Sequence, residues 1–232
     1  MRLTGITSQP REHPHRLIAE SERDDSLGDL RFRALLSEPD WAALPLAVRR
    51  RFSRRLAGGS TIVYAGSVIE TRMSRAGWWL AQAVRPIGAP LPISRDRDVP
   101  AVVAVTEDLA GGGQGGSQVW TRLYARRAGF PQIIHSAKRF AGPTGLEEYV
   151  GYGVGMALTV HVVDAALIFR SAGYFLQVFG RRLPLPAWLA PGALTVTHGA
   201  LANGWFTFTL DLVHPRFGAL IRQTAAFREA GT

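Results

Sequence analysis

The sequence predicts an α+β protein built on a large curved antiparallel β-sheet closing into a barrel or half-barrel, with short N-terminal helices and one helix after the first strand. Three observations carry this. From residue 101 onward apolar and polar residues alternate with period two. The joints between those runs are mostly short and hold glycine, proline or Asn-Gly. Helical periodicity is confined to the segments before residue 57 and to residues 75–85. The length of 232 residues suits one large β-rich domain, and a chain of this size buries roughly 70% of the surface it exposes when unfolded.

Taken in order, residues 1–28 read as a disordered leader, with Pro10, Pro14, two histidines and alternating charge but no apolar signal core. A single globular domain is expected over 29–230, with a helical opening over 29–57 and mainly antiparallel β from 60 onward. Asp29 is placed to cap a helix over 30–36, which puts Phe32, Leu35 and Leu36 on one face. Pro39 is expected to stop it. Pro45 stands at a first helical position, where its missing N–H costs nothing, and a second helix should run to about Leu56. Gly58 and Gly59 end it, and residues 61–72 read as the first strand.

Ser74 then caps a short amphipathic helix over 75–85 that carries Trp78 and Trp79. Such a pair can meet a membrane interface, but anchoring the helix onto the sheet is the commoner use and is the expectation here. Residues 86–100 read as a proline-rich, charged loop. Strands are predicted over 101–107, 118–126, 132–140, 155–163, 166–170, 174–179, 193–201, 205–213 and 220–227. Asn203-Gly204 is the clearest hairpin signal. Pro184, Pro186 and Pro191 forbid a central strand in residues 181–191, which suit a plug over the sheet better than a polyproline ligand.

Charge and composition narrow the function classes. The net charge of +9 rests on arginine, since Lys138 is the only lysine. Guanidinium groups bind carboxylate and phosphate in a two-pronged way, so acidic partners are plausible, although arginine with much alanine and glycine also follows from a GC-rich coding sequence. The densest run comprises Arg49, Arg50, Arg51, Arg54 and Arg55. It offers a peripheral contact with an anionic membrane, while a solvated helix face complementing the helix dipole explains it as well. One turn of arginine is a weak nucleic-acid footprint, and no nucleic-acid partner is expected. The absence of cysteine removes thiolate nucleophiles and cysteine zinc sites and fits a cytoplasmic setting.

Several motifs fail on their chemistry. The loop 111–117 superficially resembles a phosphate cradle but precedes a strand and lacks the Lys-Ser/Thr ending. His135, His161, His198 and His214 fall on different strands without a second ligand at metal spacing, so no metal and no cofactor is expected. No Gly-x-Ser-x-Gly elbow is present.

Phe32-Arg-Ala-Leu-Leu followed by Trp41-Ala-Ala-Leu-Pro-Leu-Ala-Val-Arg resembles the opening of the bacterial domain-of-unknown-function family 4166. The Trp120-Thr-Arg122 strand, residues 145–151, 183–191 and 204–208, and the closing Pro215-Arg-Phe-Gly-Ala-Leu-Ile221 are similar to it too. In that family the helical opening often ends in a histidine near the position of Phe52, so any role for that histidine is lost or moved here. Members stand alone or behind nicotinamide-dependent oxidoreductase domains, and the resemblance implies an architecture and an intracellular setting rather than a reaction.

The candidate site follows from side-chain direction. Alternate strand residues share a face, which places Trp120, Arg122, Tyr124 and Arg126 together. His135 and Arg139 share a face of the next strand, with Ile134, Ser136, Lys138 and Phe140 on the other. Glu148 follows in a turn-rich segment and is expected to reach back to Arg122, where the pair would hold a guanidinium ready for an anionic or carbonyl group. The face is either a cavity lining or a solvent surface with an incidental ion pair worth at most about 1 kcal/mol. The Trp and Tyr beside Arg122 favour the cavity.

Three functions fit. The first is a non-catalytic binding module for an apolar or amphipathic small molecule, lined by Trp120, Arg122, Tyr124, His135, Glu148 and His161, with Phe169, Tyr174, Phe175, Phe179, Trp205, Phe206 and Phe208 as an apolar wall. The second is an enzyme acting on a lipid-like or carbonyl substrate, with Arg122 as stabiliser and His135, His161 or Glu148 as base. The third is an interaction domain docking onto an oxidoreductase partner.

Overall fold

The computed structural model describes residues 28–56, 58–110 and 117–231. The leader expected at 1–28, apart from Gly28, and residues 111–116 of the glycine-rich loop lie outside them.

Among the described residues, three short helices come first. The buried carboxylate of Asp29 accepts the Arg31 backbone N–H at 3.1 Å and the Arg31 guanidinium at 2.6 Å, which starts α1 (Arg31–Ala34). Pro39, expected to end a helix, instead lies in the first turn of α2 (Glu38–Ala43), where no backbone N–H is needed; Ser37 Oγ caps that turn by accepting the Asp40 N–H at 3.2 Å. Pro45 precedes α3 (Leu46–Phe52), which ends short of Leu56. Phe32, Trp41, Leu44, Val48 and Phe52 form the buried face of this helical opening.

Ten antiparallel strands close into a barrel. They are β1 (Thr61–Met73), β2 (Val99–Glu107), β3 (Gln118–Tyr124), β4 (Gln132–Arg139), β5 (Glu147–Gly151), β6 (Val154–Val163), β7 (Ala166–Val178), β9 (Ala193–Ala200), β10 (Phe206–His214) and β11 (Gly218–Glu229), with β8 (Arg181–Pro184) added beside β7. The ring runs β6-β5-β4-β3-β2-β1-β11-β10-β9-β7 and closes by pairing β7 with β6.

Two differences from the expected strands have a backbone cause. The runs expected at 166–170 and 174–179 fall, apart from Phe179, in one strand, β7, because a bulge opposite Ala157/Leu158 and Gly173 at φ +141° bend it without breaking it. That bend lets β7 pair β9 along its first half and β8 along its second. Secondly, the segment around Glu148, expected to be turn-rich, is strand β5, with Lys138 opposite Glu148 and Glu148 opposite Met156. Asn203 and Gly204 turn the β9–β10 hairpin with φ of +56° and +75°, the two positive values that this turn requires.

The register divides the connections between two ends. At one end lie α1–α3 and the β2–β3, β4–β5, β6–β7 and β9–β10 connections. There Phe32 and Phe52 pack against Phe169 at ring-centroid distances of 6.1 and 5.7 Å, closing the barrel from below. Arg51 also turns inward: its guanidinium carbon lies 3.7 Å from the centre of the Phe206 ring, and Nη1 donates to His198 Nε2 at 2.7 Å.

At the other end lies α4 (Arg75–Ala83), capped by Ser74 Oγ, which accepts the Gly77 N–H at 3.1 Å. The sequence expectation that Trp78 and Trp79 anchor this helix is corrected. Gly77 and Ala81 are its buried residues, and a Cβ at Gly77 would lie 2.1 Å from the Leu220 carbonyl oxygen. A backbone approach that close leaves no room for an indole, so both tryptophans face outward. Residues 185–192 join α4 at this end.

Candidate functional site

Inside the barrel, between the α1–α3 plug and the roof formed by α4 and residues 84–92 and 185–191, lies a cavity of about 290 Å³. Most of its wall is apolar, with Phe52, Leu80, Val84, Phe169, Phe208 and Leu212 among the lining side chains. One sector of the wall is charged. Trp120 on β3 faces Ser136 on β4, and Arg122 faces Ile134, so the alternation that hides Trp120 and Ile134 also turns Arg122, Ser136 and Lys138 inward.

Three strands bring this charge cluster together. Glu148 Oε2 accepts Lys138 Nζ at 3.0 Å, and Glu148 Oε1 accepts Arg122 Nη2 at 3.3 Å. Arg122 Nη1 donates to Ser136 Oγ at 3.0 Å. Lys138 Nζ lies 5.0 Å from the centre of the Trp120 ring and 5.6 Å from that of Phe169, within the range of cation–π attraction. The Trp120 indole N–H is satisfied by Gln118 Oε1 at 3.1 Å.

Burial would raise the Glu148 carboxyl, but the charges of Lys138 and Arg122, with hydrogen bonds from Ser136 and Lys138, outweigh it and hold the group at about 2. Burial pushes Lys138 down; Glu148 opposes that shift and Arg122 adds to it. The Tyr124 phenol is raised by burial and lowered in part by Arg122, so it stays a neutral hydroxyl at neutral pH. One carboxylate therefore bridges two cations, and the cluster carries one positive charge more than it neutralises internally.

The expected site residues separate into two groups. Trp120, Arg122, Tyr124 and Glu148 all line the cavity. His135 borders it, yet its ring is exposed and pairs with Thr121 Oγ1 at 3.1 Å, because the register that turns Ser136 inward turns His135 outward. His161 is exposed and pairs with Thr159 Oγ1 at 3.0 Å. Of the expected apolar wall, Phe169, Tyr174 and Phe208 line the cavity. Phe206 is buried against Tyr64 and Phe227 toward the helical end. Phe175 lies against Tyr149 with the Arg182 guanidinium over its ring, and Phe179 is fully exposed. Trp205 is half-buried and stacks with Arg228.

Lys138 and Ser136 were the inward-facing residues that sequence reasoning left out of the site. Their signal was present, since they share a face with Ile134, but only the pairing of β3 with β4 shows that this face meets Arg122. The five-arginine run does not form one surface: Arg51 is turned inward, Arg54 pairs with Glu229 at 2.6 Å, and of the five only Arg50 and Arg55 are exposed.

A closed antiparallel barrel holding a charged cluster in an otherwise apolar interior is the class of protein these features define. The chain belongs to the family described as Domain of unknown function (DUF4166), whose family model matches residues 44–227. No curated protein and no solved structure matches the chain. Among the described residues no helix is long and apolar enough to cross a membrane.

Proposed function

We propose that this barrel is a non-catalytic binding module for an amphipathic small molecule with an apolar body and an anionic head. The observation that carries the reading is Glu148 bridging Arg122 and Lys138 on the wall of an apolar cavity. The unbalanced positive charge favours an anion. Arg122 is the cation better placed to meet it, because its side chain keeps 21% of its exposure against 8% for Lys138. Guanidinium N–H groups not engaged by Ser136 and Glu148 match a carboxylate or phosphate. A cavity of about 290 Å³ is at the small end of ligand pockets, which suits a single alkyl or isoprenoid chain.

The catalytic reading has less support. Both oxygens of Glu148 are engaged, and a carboxyl held at about 2 is a poor proton donor and a weak base at neutral pH. The imidazoles of His135 and His161 are bonded on the outer surface.

Native mass spectrometry of the gently extracted protein tests the proposal. A copurifying anionic amphiphile supports it. A chain that comes through empty and shows no thermal shift with fatty acids or isoprenoid phosphates would refute it.

A further inference from the structure

Each of the six connections at the α4 end carries an exposed aromatic side chain. They are Trp79 between β1 and β2, Phe130 between β3 and β4, Tyr152 between β5 and β6, Phe179 between β7 and β8, Trp188 between β8 and β9, and Phe217 between β10 and β11. Their exposures run from 65% to 100%, values at which large apolar rings meet water over most of their surface. Among the described residues, the exposed large apolar residues on the connections at the opposite end are aliphatic, with Leu30, Leu46, Leu109 and Leu201 among them. Singly exposed apolar residues need no explanation, but this concentration on one end does.

The same connections hold seven arginines, including the exposed Arg75, Arg85, Arg127 and Arg216, against two acidic residues, Asp96 and Asp98. The rings stand on separate connections spread around the barrel rim. That spacing suits a planar, deformable apolar medium better than a folded partner, whose interface packs a contiguous core. Aromatic rings and arginines together match the interfacial zone of a bilayer, where rings enter the headgroup level and guanidinium groups meet phosphate.

We infer that the α4 end of the barrel docks peripherally onto an anionic lipid bilayer, with Trp79, Phe179 and Trp188 as its principal anchors. The docked end is the roof of the cavity: α4 turns Leu80 inward and Trp79 outward, and residues 185–191 turn Leu185 and Pro191 inward and Trp188 outward. This surface differs from the basic α3 run, which lies at the opposite end. The inference does not depend on whether the cavity takes a ligand.

The test is co-sedimentation of the full chain with vesicles of phosphatidylcholine alone and of phosphatidylcholine mixed with phosphatidylglycerol, alongside tryptophan emission. Binding to the mixed vesicles, with a blue shift and quenching by brominated acyl chains, is expected. Phe179→Ser combined with Trp188→Ser should weaken partitioning by about tenfold or more, and Phe179→Ser alone, at a fully exposed position, guards against a folding defect. Arg50→Gln combined with Arg55→Gln should leave partitioning unchanged. A chain that stays in the supernatant, or that binds equally after the aromatic substitutions, overturns the inference. So does a dimer in the absence of lipid that those substitutions dissolve, since a second copy would then be the occupant. An empty cavity in a chain that still binds vesicles removes the ligand reading and leaves this one standing.

Discussion

Lys138 and Glu148 face each other across the β4–β5 pairing, with Nζ 3.0 Å from Oε2 and both side chains at least nine-tenths buried. An ion pair this enclosed contributes little net stability, because desolvation offsets most of the attraction, but losing one member leaves a buried charge without its partner. Glu148→Ala is therefore expected to cost about 3–5 kcal/mol. Adding Lys138→Met should recover part of that loss. Urea unfolding of the two single variants and the double variant checks this; additive losses would mean that the pair is not coupled.

The same pair makes stability depend on acid. The Glu148 carboxyl is depressed from an ordinary 4.5 to about 2, so its stabilisation is complete above 4.5 and is lost as pH falls from there toward 2. Thermal melts across that window should show a loss that Glu148→Gln abolishes. A variant that keeps the full slope would place the titrating group elsewhere.

His198 gives a separate, higher window. It is fully buried, and burial, with the nearby charge of Arg51, pushes it well below 6.5. Because Arg51 can only donate, His198 Nε2 accepts and the neutral ring carries its proton on Nδ1. Above 6.5 neither the folded nor the unfolded chain protonates this ring. Below it the unfolded chain binds a proton and the folded chain does not, so stability falls by up to about 1.4 kcal/mol per pH unit. His198→Gln, which keeps an acceptor for Arg51, should flatten the curve between 6.5 and 5. An unchanged slope would count against a buried neutral His198.

Gly77 offers a test in which two effects have opposite signs. Helix propensity alone would make Gly77→Ala stabilising by about 1 kcal/mol. Contact with the Leu220 backbone, whose carbonyl oxygen lies 2.1 Å from the added Cβ, forces α4 off β11. Overpacking of this kind costs about 1–3 kcal/mol, so a net loss is expected by denaturant unfolding. A gain would mean that α4 is not seated so closely on β11.

The antiparallel barrel was legible in the sequence because period-two alternation and the Asn203-Gly204 turn are local signals. Strand β5 was not, because its partners are remote: the segment around Glu148 reads as turn-rich until Arg182, Lys138 and Arg122 are brought to Glu147 and Glu148. The Trp120, Arg122 and Tyr124 face was readable from alternation alone, whereas the reach of Glu148 to Arg122 was expected from a turn-rich segment and not from a strand. The outward placement of His135 was not, since histidine suits either face and only the β3–β4 register decides. Trp78 and Trp79 misled because amphipathic periodicity favours the largest apolar side chains for the buried stripe, whereas α4 seats itself through Gly77 and Ala81.

The proposed binding function rests on Arg122 recognising an anionic head in the cavity. The direct measurement is a titration of the wild-type chain, Arg122→Met and the cavity-filling Leu210→Trp with a fluorescent fatty acid and with the matching fatty alcohol. The wild type is expected to bind the acid about tenfold or more tightly than the alcohol, as one charge-assisted hydrogen bond implies. Arg122→Met should lose that preference while keeping the alcohol, and Leu210→Trp should bind neither. Equal affinity for acid and alcohol in the wild type, or binding that survives Leu210→Trp, would contradict it.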